Sequence, residues 1–153
     1  MRYAVVHAVL LASLTACGPK EETLPILETA GGSAGVPARA RITAPADGDT
    51  VGPNVTIALA ADQVIVEPGT GVRVAGRGHH HLVVDVPPPE GDSVIGRGAG
   101  VVHLGDGSSV HTLTGLAPGV HRVIAILGYG DHVPIEHAGS DTVVFVVRAG
   151  EAP

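Results

Sequence analysis

From Arg41 onward the apolar positions fall in short β-branched runs, interrupted about every ten residues by Pro, Gly and Asp, and no stretch sustains a helical period. Alternation with a period of two picks out eight candidate strands: Arg41 to Thr43, Val55 to Ala60, Val64 to Glu67, His80 to Val86, Val101 to Leu104, Val110 to Leu113, Val120 to Leu127 and Thr142 to Arg148. Between them, segments such as Pro45-Ala46-Asp47-Gly48-Asp49 and Gly105-Asp106-Gly107 carry the chemistry of tight turns. Seven or eight short strands at this spacing predict an all-β domain built as an antiparallel sandwich. The last run, Thr142 to Val147, is apolar at nearly every position and predicts a central strand covered on both faces.

One local pattern refines the kind of sandwich. Leu116-Ala117-Pro118-Gly119-Val120-His121 resembles the Leu-x-Pro-Gly-x-Tyr run that opens the sixth strand of immunoglobulin-like domains, with His121 in the place of the corner tyrosine. Alternation then puts His121, Val123, Ala125 and Leu127 on one face. His121 is expected at the edge of the core with its imidazole bonded to nearby backbone, a structural role.

The N-terminal pattern is different. Arg2 is followed by an apolar run from Ala4 to Leu14, too short for a permanent membrane span, and then by Leu14-Thr15-Ala16-Cys17. That tetrapeptide resembles the bacterial lipobox, in which the cysteine is acylated and becomes the mature N-terminus. Residues 1–16 are therefore read as a lipoprotein signal peptide and Cys17 as the lipidated residue. Two or more acyl chains at about 0.8 kcal/mol per buried methylene would hold the chain on a membrane almost permanently. Gly18, where an aspartate would retain the protein at the inner membrane of enteric bacteria, resembles an outer-membrane address. Residues 17–40 contain Gly31-Gly32-Ser33-Ala34-Gly35 and no periodicity, and read as a tether; residues 41–149 form the domain and 150–153 a tail.

Charge and composition narrow the function. Removing Arg2 with the signal leaves eight basic residues against fifteen acidic ones, a net charge of −7. That lacks the basic footprint of a nucleic-acid-binding surface. Outside the signal the aromatic residues are Tyr129 and Phe145, which leaves no stacking platform for bases and argues equally against carbohydrate. Cys17 is the only cysteine, so the exported domain has neither disulfide nor thiol chemistry. There is no Gly-x-Ser-x-Gly elbow, and the chain is expected not to be an enzyme. A His-x-His pair on a β-sandwich has an analogue in copper-zinc superoxide dismutase, but the remaining ligands and the disulfide of that enzyme do not appear.

What remains is histidine. Of nine, eight lie between His79 and His137. In His79-His80-His81-Leu82 a strand sends His79 and His81 to one face, their Cα atoms roughly 6.5 Å apart, and His80 to the other with Leu82 and Val84. His80 is thus expected in the core. His79 and His81 could share a Zn or Cu ion with further imidazoles, the candidates being His103, His111 and His132, with His137 as an outlying one. The alternative is that the histidines order turns through Asp85, Asp131 and backbone groups, and that the domain is a structural or protein-interaction module of the cell envelope.

Four segments taken together carry a family resemblance: Gly78-His79-His80-His81-Leu82-Val83-Val84-Asp85, Val102-His103-Leu104-Gly105-Asp106-Gly107, Leu116-Ala117-Pro118-Gly119-Val120-His121 and Asp131-His132-Val133-Pro134. They resemble the ordered signature of the domain-of-unknown-function 4399 family of small exported bacterial domains, over about residues 42 to 147. The chain departs from that pattern at Ser108-Ser109-Val110 and at Ile135, the latter standing where the family has a further histidine. The resemblance implies no established activity.

Overall fold

The computed structural model describes residues 36–91 and 93–149; Cys17, the signal segment, most of the expected tether and the tail lie outside the described residues. Among the described residues nine strands form: β1 (Arg39–Ala44), β2 (Thr50–Val51), β3 (Val55–Asp62), β4 (Ile65–Val66), β5 (Arg77–Val84), β6 (Val101–His103), β7 (Val110–Leu113), β8 (Gly119–Gly128) and β9 (Asp141–Val147). They make a three-stranded sheet in the order β1-β3-β7 and a six-stranded sheet in the order β2-β9-β8-β5-β4, with β6 also paired to β5. The ladders are antiparallel except for two short parallel pairs, β2 with β9 and β4 with β5. The domain is the all-β sandwich expected, with β5, β8 and β9 placed as the adjacent C, F and G strands of an immunoglobulin-like sheet.

The facing sides of the two sheets bury Ile57 and Leu59 from β3, Leu82 from β5, Val123, Ala125 and Leu127 from β8, and Val143, Phe145 and Val147 from β9 in one cluster. At roughly 25 cal/mol per Å² of apolar area removed from water, this cluster is the main drive to fold. His121 caps its edge. Its Nε2 lies 2.8 Å from the Ala117 carbonyl, its Nδ1 lies 2.7 Å from Asp85 Oδ2, and its ring stacks on Phe145 with centroids 6.0 Å apart.

Two features differ from the sequence expectation. β2 was not predicted: Thr50-Val51 is too short to show alternation and is held by backbone bonds, Val146 N–H to Asp49 O at 2.8 Å and Arg148 N–H to Val51 O at 3.0 Å. And β9 is covered on one face only, with Val144 37% and Val146 39% exposed. The strand buried on both faces is β5, in which every residue from Gly78 to Val83 is buried. The segment between β5 and β6 makes the difference. It folds back over the outer face of the six-stranded sheet and buries Ile95, whose N–H donates to the His132 carbonyl at 2.8 Å. Val83, Ile95 and Ile124 are buried there outside the main cluster.

Candidate metal centre

β5 can carry three consecutive histidines without exposing any because both of its faces are covered. His79, His80 and His81 are each 0% exposed. His80 belongs to the same face as Leu82, toward the apolar cluster, and neither of its ring nitrogens has a hydrogen-bond partner among the described residues. Burial pushes its pKa down, so it is a neutral imidazole in the core.

His79 and His81 take the opposite face, and two further imidazoles come to meet them. His103 ends β6, where it is the direct cross-strand partner of His81. His132 sits in the turn after β8, at φ +68°, a left-handed conformation that a non-glycine residue adopts only when its surroundings impose it. The turn is closed by His132 N–H to Tyr129 O and Tyr129 N–H to Val133 O, both at 2.8 Å. Asp131 accepts from Val133 N–H and pairs with Arg73 at 3.1 Å, while the Arg73 guanidinium lies 4.9 Å above the Tyr129 ring. The conformation that presents His132 is thus held from two sides.

The four rings form a compact set. Their centroids are 4.6 Å apart for His79 and His81, 4.8 Å for His79 and His103, 5.0 Å for His79 and His132, 5.0 Å for His81 and His103, 5.7 Å for His81 and His132, and 4.6 Å for His103 and His132. Four imidazoles disposed tetrahedrally about one ion with metal–nitrogen distances of 2.0–2.1 Å have centroids about 5 Å apart. His79, His81 and His103 each offer a ligand nitrogen within 4.8 Å of the other two; His132 stands outside that group of nitrogens and joins the set through its ring, with centroids 4.6 to 5.7 Å from the other three. Nε2 of His79 and Nε2 of His103 face each other at 3.0 Å, and several of the other nitrogens are unclaimed. Nδ1 of His79, both nitrogens of His81 and Nε2 of His132 are buried with no hydrogen-bond partner among the described residues, a state that costs about 1–3 kcal/mol per group unless something binds them.

The electrostatics keep His79, His81 and His103 neutral. Burial, then the proximity of His103 and His132, holds the His79 pKa down at about 4. Burial, then His79 and His103, takes His81 to about 3. Burial, then His132 and Arg97, lowers His103, with Asp106 opposing. An imidazole that stays neutral has its lone pair free for a cation. The donors are all nitrogen, which suits Zn or Cu and offers none of the oxygen that Ca and Mg require.

Glycines make room for the rings. A Cβ on Gly105 would overlap the His103 imidazole, one on Gly128 would stand 2.9 Å from His81 Nε2, and one on Gly69 would stand 3.2 Å from His79 Cε1. These three positions belong to the site although nothing in the sequence alone distinguishes them from ordinary turn glycines.

The remaining candidates do not join the four rings, although His111 lines the cleft beside them. His111 is on β7 in the three-stranded sheet, opposite Ile57, and does not join the ligand nitrogens of His79, His81 and His103. It was expected among the ligands because sequence does not reveal which sheet a strand enters. His137 is exposed in a turn at φ +57°. His121 lies at the core edge as described. Ile135, at the position where the family pattern has a histidine, is buried in the apolar cluster.

A profile of the family described as domain of unknown function (DUF4399) matches residues 57–148, more than half of the chain, and the chain belongs to that family. The match spans β3 to β9 almost entirely and includes all four clustered histidines. No curated protein and no solved structure shows significant similarity to it.

Proposed function

We propose that this member of the DUF4399 family is a non-catalytic metal-binding module that holds one Zn or Cu ion with His79, His81, His103 and His132. The observation that carries the reading is the convergence of four imidazoles, two buried ones from one strand, a half-buried one from its neighbour and a half-buried one from a turn, at the mutual spacing of a four-nitrogen site. A purely structural role fits His80, which fills the core, and His121, which is saturated by Asp85 and Ala117. It leaves unexplained why His79, His81, His103 and His132 converge from two strands and a turn. The lipobox-like Leu14-Thr15-Ala16-Cys17 supports an exported, lipid-anchored setting for this module, and Gly18 favours the outer membrane.

The test is calorimetric titration of Zn(II) and Cu(II) into the full chain purified without an affinity tag. One ion per chain bound tighter than about 10 µM is expected. Absence of binding, or binding unchanged in a His79→Ala/His81→Ala variant, rejects the metal centre.

A further inference from the structure

Beside the four imidazoles lies a cleft of about 460 Å³, a volume within the range of small-molecule sites. His103 and His132 line it, together with Arg97, Asp106, Ser108 and His111. His79 and His81 are fully buried and take no part in its wall, so a solute in the cleft meets the centre at His103 and His132.

The charged groups of the cleft are not matched to each other. Asp106 is engaged in its own turn, accepting the Ser108 N–H at 2.9 Å. Arg97 is exposed and makes no ion pair among the described residues. A guanidinium is a planar fork of donors that pairs bidentately with an oxyanion, and a carboxylate is the smallest organic one.

The four imidazoles are not equivalent either. His79, His81 and His103 group their ligand nitrogens within 4.8 Å, whereas His132 stands outside that group and lies farthest from His81, at 5.7 Å between centroids. Neutral ligands also leave the whole charge of a divalent ion in a desolvated site, an expensive state. Replacing one of them by an anion halves that charge.

We propose that the cleft is a carboxylate site: a small organic acid anion, held by the Arg97 guanidinium, takes the fourth position on the ion in place of His132. This rests on the metal-centre reading above. The exchange swaps one coordinate bond for another. His132 leaves as neutral imidazole, a carboxylate oxygen enters, and the centre goes from a net charge of +2 to +1 with no change of oxidation state.

Co(II) reports the exchange, because its visible bands follow the identity and number of its ligands. The full chain is loaded with Co(II) and titrated with acetate, with acetamide at equal concentrations as the uncharged control. Acetate is expected to shift the bands with half-saturation on the order of millimolar, and acetamide to leave them in place. Arg97→Gln is expected to raise the acetate concentration needed roughly tenfold, the loss of a charge-assisted contact. His132→Ala is expected to lower it, because the competing ligand is gone. Co(II) bands that acetate does not move, that acetamide moves equally, or that respond alike in wild type and His132→Ala overturn the carboxylate site while leaving the metal centre standing. A chain that takes up none of Co(II), Zn(II) and Cu(II) overturns both.

Discussion

Nε2 of His79 and Nε2 of His103 lie 3.0 Å apart although the residues are 24 positions apart in the chain. Between two neutral rings that distance is a single hydrogen bond. Around one ion it is a ligand–ligand edge, about 3.3 Å when four nitrogens sit 2.0–2.1 Å from the metal. The cross-strand pairing of β5 with β6 therefore brings these atoms close to the spacing of bound ligands.

Removing either ring is expected to lower metal affinity more than about 100-fold, beyond what loss of an outer-shell partner costs. His111→Ala, in the other sheet, is expected to leave affinity unchanged. Calorimetry on the three single variants decides the matter; equal affinities for His79→Ala and His111→Ala would contradict the ligand assignment.

His80 and His81 should respond in opposite ways to the same kind of substitution. Each buried, unpartnered ring nitrogen costs about 1–3 kcal/mol, and His80 carries two of them toward an apolar cluster. His80→Leu is expected to raise the melting temperature by a few degrees and to retain the ion, whereas His81→Leu abolishes binding. A His80→Leu chain that melts below wild type would show that the imidazole is bonded in the core.

Gly105→Ala is expected to damage the site with the fold intact, because its Cβ overlaps the His103 ring. The imidazole must swing away and weaken metal binding. Gly52→Ala, whose Cβ would meet nothing within 4 Å, is the matched control. Similar metal affinities for the two variants would mean that His103 is not held where the geometry puts it.

The His121–Asp85 contact gives a pH signature of its own. The bond to the Ala117 carbonyl, with burial opposing and Asp85 assisting, raises the His121 pKa above 6.5, so its contribution is complete below 6.5 and fades as pH climbs through the folded value. For Asp85, desolvation pulls upward, but the Arg122 N–H and His121 hold the pKa below 3.8, so its contribution is present above 3.8 and fades on acidification. His121→Gln is therefore expected to cost most in melting temperature at pH 5 to 6 and clearly less at pH 9. A deficit independent of pH would assign the residue to packing alone.

How much of this was legible in the sequence depends on the range of the determinant. The opposite facing of His79 and His80 follows from alternation and needs no tertiary information. The short apolar runs were likewise sufficient for the sandwich, since a period of two cannot be satisfied by a helix. The choice of His103 over His111 was out of reach, because it rests on which sheet β6 and β7 enter. His132 could be named a candidate, but its reach depends on a left-handed residue and an Arg73–Asp131 pair 58 positions apart. The covering of β5 rather than β9 depends on a segment rich in Pro and Gly that has no period to read.

β5 is a wall one strand thick between two chambers of different character. Leu82 and its neighbours seal one side with hydrocarbon, and His79 and His81 line the other with nitrogen. An ion arriving in or departing from the second chamber would break no contact in the first. Filling then adds its binding free energy to a fold that the first chamber already secures, so that the emptied domain is less stable but keeps its shape, in the way a vessel outlasts its contents.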